Sequence, residues 1–592
     1  MPVPPSGTSK PRKPRPSRAK GLRTTTGCLT CRKRRVKCDE KKPQCSQCSK
    51  AERVCIYGDI ASPRTTLAAD VGGAKADIPS AEASDSANTT SPAARAAING
   101  DIDPQLFSYS PELRFDLSPL TLTASLPSPN SAPFEWYDLL AEDAINNIQK
   151  HNLGFDEICL SRRQTPVPES PVTEPLTQSP SQVRLHPESS TLEPWNSTET
   201  ISLTENELPL FQHFVDILGP TLDLFDPLRT FSIIVPRLAV HNVGLLKSLL
   251  AVAARHIALN TETYLQHPSH GVQTRRPNTS DSYDENEHSI ELSHAATQYY
   301  YETLRYLSQN LLYPSYTKSG EIIATAILIS TYEMFDSHGS CSNGDWERHL
   351  RGIFWIQRSQ DNNGESLDGL RRGAWWAWLR QDIWVALRES RRVLTIWRPT
   401  KRLVDLSPDE LATRILYIAA RCVDYAANEK HYDVNIRIEQ GDKLLQALGD
   451  WHRALPASFQ PIYAQAPSES VLFGPVWIHP APYAAAMQTF HFARIIVLIN
   501  QPSVGGINAF RQRQRLLDES VETICGIAVL HRQKDLPSTF VDAIAIYAAG
   551  LCVQTHAKQN AILQLLEKTL EISKFPPKSI LNDLTNFWRE ES

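Results

Sequence analysis

From about Leu203 to the C-terminus, apolar residues recur every three to four positions, the spacing of one helix face. LPLFQHFVDILGPTLDLFD places Leu210, Phe211, Phe214, Ile217 and Leu218 on one side. GLLKSLLAVAARHIAL, EIIATAILISTYEMF, DGLRRGAWWAWLRQDIWVALRES and FARIIVLIN read the same way. Alternating β-branched runs are scarce, so the pattern predicts a large all-α domain over 203–592. The polar stretch HPSHGVQTRRPNTSDSYDENEHS inside it predicts a disordered loop. Between Gly58 and about Thr200 the periodicity dissolves into 16 prolines among Ser, Thr and Ala, which predicts a long disordered linker. One island breaks that linker. From Pro133 to Ile145, acidic residues alternate with Phe134, Trp136, Tyr137, Leu139 and Leu140. Such a segment suits folding onto a coactivator groove, making 133–147 a candidate activation segment; it suits equally a helix docked back on the large domain.

Charge changes the picture at the N-terminus. The 592 residues carry a formal net charge of only -4, yet residues 1–57 hold 16 Lys and Arg against 3 Asp and Glu. A chain so polarised has a basic end suited to a polyanion. Residues 1–27, with Lys10, Arg12, Lys13, Arg15, Arg18, Lys20 and Arg23 among prolines and serines, read as a disordered basic arm for nuclear import or phosphate contact. The N-terminus lacks the apolar core of a secretory signal, and no apolar run approaches the roughly 20 residues of a membrane span.

Six of the 11 cysteines lie within 28 residues: Cys28, Cys31, Cys38, Cys45, Cys48 and Cys55. Each half reads C-x2-C-x6-C, and the halves are offset by 17 residues. A secreted disulfide knot is disfavoured by the absent signal and the cysteine-poor remainder. One four-cysteine zinc site leaves Cys38 and Cys55 unexplained. Two zinc ions fit better: two tetrahedral sites need eight thiolate positions, which six sulfurs supply if two of them bridge. The bridging pair should be Cys28 and Cys45, the first cysteine of each half. One ion then takes Cys28, Cys31, Cys38 and Cys45, and the other Cys45, Cys48, Cys55 and Cys28. An unmetallated pair of redox CxxC motifs is the competing reading. The scattered Cys159, Cys341, Cys422, Cys525 and Cys552 read mostly as small hydrophobes in helical surroundings.

With its basic run Arg32-Lys33-Arg34-Arg35-Val36-Lys37 and Pro43 before Cys45, the segment CLTCRKRRVKCDEKKPQCSQCSKAERVC resembles the fungal binuclear zinc-cluster transcription factors. Each C-x2-C turns into a short helix; RKRRVK, with five cations, should face DNA, and the nearly neutral SKAERV should brace it. The resemblance implies that Arg34 and Arg35 read bases, usually of a CGG triplet, where family members often carry lysines. Arg32, Lys33 and Lys37 would then touch phosphate. Many relatives place a coiled-coil dimerisation helix directly after the cluster. Here GDIASPRTTLAADVGGAKADIPS has no heptads and contains Pro63, Gly72, Gly73 and Pro79, which favours a monomer or a dimer through the helical domain.

The helical region, in LFQHFVDILGPTLDLFDPLRTFSIIVPRLAVHNVGLLKSLLAVAARHIA and GLRRGAWWAWLRQDIWVAL, resembles the fungal-specific transcription factor domain. No G-x4-G-K-[ST], H-E-x-x-H or G-x-S-x-G motif occurs, so an enzyme is disfavoured. Trp375, Trp376, Trp378 and Trp384 suit core packing better than an effector pocket; His288 and His294 read as solvated, and Arg255 and His256 as a polar face or capped core. The whole reads as a small zinc-organised two-helix DNA-binding module over 28–55, a long disordered linker over 58–200, and a large all-α regulatory domain over 203–592. Two zinc ions, double-stranded DNA and transcription coactivator machinery are the expected partners. The expected place is the nucleus, and the expected task is regulation at RNA polymerase II promoters. The alternative is a DNA-binding corepressor or scaffold without activation function.

Overall fold

Three helices that are buried around nearly their whole circumference organise the large domain, covered on every side by the other helices. In the computed structural model they are α8 (Gly320–Asp336), α10 (Gly369–Arg388) and α13 (Ala481–Asn500). The structure describes residues 30–31, 38–39, 41, 44–50, 131–151, 154–155, 160, 193–266, 281–336, 345–395, 397–427, 433–466, 471–530, 536–574 and 579–591. The chain divides into two units, residues 1–96 and 97–592.

In the first unit the described residues include the short helix α1 (Ser46–Ser49) beside Cys31 and Cys38, and Thr30 and Cys31 are themselves helical. The second unit is a helical domain. It begins with α2 (Ala132–His151) and α3 (Glu207–His213), which runs through a π-turn at Phe214–Leu218 into α4 (Gly219–Leu222). Pro220 lacks the N–H that an unbroken helix would use there. Next come α5 (Thr230–Ala239), the paired long helices α6 (Val243–Gln266) and α7 (Asp281–Asn310), α8 and α9 (Asp345–Ser359). After α10 follow α11 (Pro408–Ala427), α12 (Val434–Arg453), α13, α14 (Ile507–Val529), α15 (Leu536–Gly550), α16 (His556–Ser573) and α17 (Ser579–Glu591). A two-residue antiparallel hairpin, β1 (Tyr463–Ala464) with β2 (Val476–Trp477), is the one exception to the helical pattern among the described residues. It pairs Tyr463 with Trp477 and Ala464 with Val476.

The structure differs from the sequence expectation in two places. The linker expected over 58–200 contains α2, whose Trp136, Tyr137 and Leu140 are at most 1% exposed. Helix α2 packs against α9 and α7. Trp136 lies over Gly352, where a Cβ would come within 2.4 Å of the indole. The Tyr137 hydroxyl donates to the Leu160 carbonyl at 2.6 Å. Further along, Trp195 packs edge-on against Tyr316 at 5.5 Å and accepts the Tyr306 hydroxyl at its carbonyl. Average composition over 58–200 is that of a disordered chain, but Trp136, Leu140, Ala144 and Ile148, four apart, concentrate their apolar area in one stripe. The second difference lies in the polar stretch expected as a loop: its part from Asp281 onward is the first turns of α7, and 267–280 lie outside the described residues. His294 is exposed on α7.

The tryptophan run belongs to the core. Trp375, Trp376, Trp378 and Trp384 are at most 4% exposed, and Trp378 donates to the Leu350 carbonyl at 3.0 Å. Arg255 pairs with Asp336 at 3.0 Å, and His256 meets His213 at 3.0 Å. Burial, with the nearby His213 adding to it, pushes His256 down to about 3, so it stays neutral. Burial likewise raises the thiols of Cys422 and Cys525 well above their ordinary value; they are protonated core residues. No described helix is long and apolar enough to cross a membrane.

Candidate zinc centre and nucleic-acid interface

A chain segment this small has no apolar core, so whatever holds it must come from its cysteines. The sulfurs of Cys31, Cys38 and Cys45 all lie within 4.8 Å of one another. Cys31 Sγ is 3.5 Å from Cys45 Sγ and 3.8 Å from Cys48 Sγ. Disulfide sulfurs would sit at about 2.05 Å, so none of these pairs is bonded. Zinc–sulfur bonds of about 2.3 Å in a tetrahedron set neighbouring sulfurs about 3.8 Å apart, and the observed spacings fit that edge. They suit one tetrathiolate as well as two that share bridges. Cys31, Cys45 and Cys48 are fully buried, and Cys38 packs against them half-buried.

Local structure explains why these side chains converge. Cys45 caps α1: its sulfur accepts the Cys48 N–H at 3.4 Å, which turns the C-x2-C loop inward. An N–H aimed at sulfur also favours the thiolate that a metal requires. Asp39 ties the two halves together. Its carboxylate accepts the Ser46 amide at 3.0 Å and the Ser46 hydroxyl at 2.6 Å. These bonds from Ser46 hold the Asp39 carboxyl below its ordinary range. Sequence reasoning missed this tie; the available signal was an acid directly after Cys38 in an otherwise basic stretch.

Four of the six expected zinc ligands, Cys31, Cys38, Cys45 and Cys48, are thus brought together, and Cys28 and Cys55 lie outside the described residues. The expected DNA contacts Arg32, Lys33, Arg34, Arg35 and Lys37 also lie outside them.

The helical domain holds a second polar cluster. His349 of α9, 3% exposed, directs Nε2 at Asp143 of α2 at 2.9 Å and Nδ1 at Glu333 of α8. Arg348 reaches the other Asp143 oxygen at 3.2 Å, and the Tyr300 hydroxyl donates to Glu333 at 3.1 Å. Burial opposes charge on His349, but Glu333 and Asp143 outweigh it and raise the imidazole to about 9. Burial likewise opposes the charge on Asp143, yet His349 and Arg348 hold it below its ordinary value. An imidazolium between two carboxylates therefore clamps α2 onto α8 and α9.

Comparison with known proteins agrees with both units. Residues 26–64 match the fungal Zn(2)-Cys(6) binuclear cluster domain, and residues 209–362 match the fungal specific transcription factor domain. Transcription activator AMTR1 of Alternaria alternata is 21% identical over 717 aligned residues, covering 92% of each chain. Transcription factor lfc1 of Flammulina velutipes is 41% identical over 78 residues, 13% of this chain and 27% of that one. White-opaque regulator 2 of Candida albicans is 59% identical over 39 residues, 6% of this chain and 9% of that one. No solved structure matches. The converging thiols, the two matched domains and these relatives together support reading the chain as similar to the fungal zinc-cluster transcription factors, DNA-binding regulators that carry a fungal specific transcription factor domain.

Proposed function

We propose that the chain acts in the nucleus on RNA polymerase II promoters and reads CGG-type triplets through the helix that follows Cys31. The gathering of Cys31, Cys38, Cys45 and Cys48 at zinc-thiolate spacing carries this reading, since it is the frame on which that helix would be held. Two zinc ions complete the frame. One is held by Cys28, Cys31, Cys38 and Cys45, the other by Cys45, Cys48, Cys55 and Cys28. Arg34 and Arg35 donate to guanine O6 and N7 in the major groove, and Arg32, Lys33 and Lys37 contact phosphate. The family match to a binuclear cluster domain over 26–64 supports both the ion count and the groove-facing role.

Elemental analysis of the purified chain should find two zinc, and a gel shift should prefer CGG sites over scrambled ones. Arg35→Ala should cost about 1–3 kcal/mol at the triplet and relax its preference, while neutralising the basic arm should weaken all sequences alike. One zinc per chain, or an unchanged preference in Arg35→Ala, defeats the reading. Without heptads after Cys55, dimers would form through the helical domain, and several half-site spacings should be tolerated.

A second reading, a DNA-binding corepressor or scaffold without activation function, is favoured by one observation: the acidic-aromatic segment 133–147 turns its apolar face inward. Against it stands the relative AMTR1, which is called a transcription activator. A reporter driven by the mapped site separates the two.

A further inference from the structure

The hairpin of β1 and β2 has one face against the domain and one in solvent. Successive side chains of a strand point to opposite sides, so Val476 and Ile478 share one face and Trp477 takes the other. The inner face is fixed. Ile478 and Phe473 are both 4% exposed. Gly526 of α14 lets the second strand lie close: a Cβ there would come within 2.5 Å of the Gly474 carbonyl oxygen and 2.9 Å of Val476. A two-stranded hairpin is marginal by itself, so this packing is what holds the strands.

On the outer face Tyr463 stands directly opposite Trp477, with Gln465 and His479 two positions along each strand. All four are exposed, Tyr463 and Trp477 by half of their surface. The Trp477 ring lies 6.3 Å from that of His479, and the Tyr463 hydroxyl donates to Gln465 at 3.1 Å. Aromatic rings left in water on a rigid support add little to the core, and Trp and Tyr in such places are the usual anchors of interfaces.

The chemistry of the face narrows its occupant. Residues 454–480 contain no Lys or Arg, so an acidic partner meets no fixed cation on this segment. The face offers two aromatic surfaces and two neutral donors, the Trp477 indole N–H and the Gln465 amide. Polyproline II segments dock on aromatic surfaces of this kind, and they make no internal hydrogen bonds, so their carbonyls are free to accept. The chain itself supplies a matching sequence. Residues 166–180 read PVPESPVTEPLTQSP, and Pro168 and Pro171 stand three positions apart, the repeat of one polyproline II turn. These residues lie outside the described ones, between Leu160, whose carbonyl accepts the Tyr137 hydroxyl, and Trp195, which packs on Tyr316. From Pro171 the chain can extend about 36 Å back to Leu160 and about 79 Å on to Trp195, so docking at a distance leaves both anchors in place.

We propose that the outer face of the hairpin, built on Tyr463 and Trp477, docks the proline-rich segment 166–180 of the same chain. Pro168 and Pro171 sit against the two rings, and the Trp477 and Gln465 donors take backbone carbonyls beside them. This goes beyond the DNA-reading role of the zinc cluster and does not depend on it.

The test compares the full-length, zinc-loaded chain with a full-length chain carrying Pro166→Ala, Pro168→Ala, Pro171→Ala, Pro175→Ala and Pro180→Ala. Hydroxyl-radical footprinting read by mass spectrometry should oxidise Tyr463 and Trp477 more slowly in the native chain, with exposed Phe510 of α14 as the unchanged reference. That protection should persist on dilution. A synthetic peptide of residues 164–182 should bind the substituted chain saturably and the native chain about tenfold more weakly, because there the face is taken; adding Trp477→Ala to the substituted chain should also weaken it about tenfold. The peptide with its prolines replaced by Ala should not bind. Trp477 is exposed, so its removal leaves the core intact, and the footprint needs no change on the face at all. Equal oxidation of the two chains, protection that vanishes on dilution and so belongs to a second copy, or peptide binding indifferent to Trp477→Ala would overturn the proposal.

Discussion

Asp143 and His349, 206 positions apart, meet at 2.9 Å between Oδ2 and Nε2, and this contact joins α2 to the body of the helical domain. Glu333 holds the opposite imidazole nitrogen, so the ring is charged in the folded chain.

The first prediction is a pH dependence. His349 is raised from 6.5 to about 9, so its contribution is complete below the unfolded value and is lost as pH climbs through the folded one. That gap corresponds to about 3 kcal/mol at most. Asp143 is lowered, so its contribution is present above 3.8 and lost as pH falls below it. Docking of α2 should be tightest between these limits and loosen from 6.5 toward 9. Arg348 and Tyr300 face the same pair, and burial raises the Tyr300 hydroxyl well above its ordinary value, so it stays neutral across that window. Denaturant unfolding of the native chain and His349→Gln at several pH values checks this; a variant with the same alkaline slope as the native chain contradicts it.

A second prediction separates docking from activation. Trp136→Ala removes a fully buried indole and should cost about 3–5 kcal/mol of domain stability. Gly352→Val should act in the same direction, because its Cβ would meet the Trp136 ring from the other side. Both variants should expose α2 to limited proteolysis before the rest of the domain. If cleavage within 132–151 is no faster than in the native chain, α2 is held by other contacts.

Asp382 offers a third. It is fully buried in α10, accepts Arg391 at 2.8 Å and accepts the Leu394 amide at 2.7 Å. Asp382→Ala takes one acceptor from that guanidinium and from that amide, while Arg391 keeps Glu389 at 3.6 Å and the Arg392 carbonyl at 2.8 Å, a loss of about 1–3 kcal/mol. Asp382→Asn should lose less, since it keeps one acceptor oxygen. Midpoints of chemical denaturation rank the three forms.

The fourth concerns the cluster. Asp39→Ala removes the two bonds to Ser46 that tie the halves, but no thiolate. Zinc content at saturation should stay as in the native chain, while chelator should strip the metal faster. Unchanged stripping kinetics would make the tie incidental.

Sequence alone determined the broad plan. Six cysteines in two copies of one spacing identify a metal-folded module, because thiolate coordination depends on which residues stand a few positions apart. Helical periodicity likewise identifies the large domain, since Leu210, Phe214 and Leu218 bury through local repetition. Tertiary structure decided the rest. Whether 133–147 faces a partner or its own domain was open in the sequence, because an amphipathic stripe reports that it needs covering and not by what. Asp143 and Glu333 are unremarkable acids until the fold brings them to His349, and Arg380 is one arginine in a tryptophan-rich helix until α4 and α15 close around it. Charge interactions act through space and desolvation, so their partners are set by the packing of helices remote in sequence and carry no local signature.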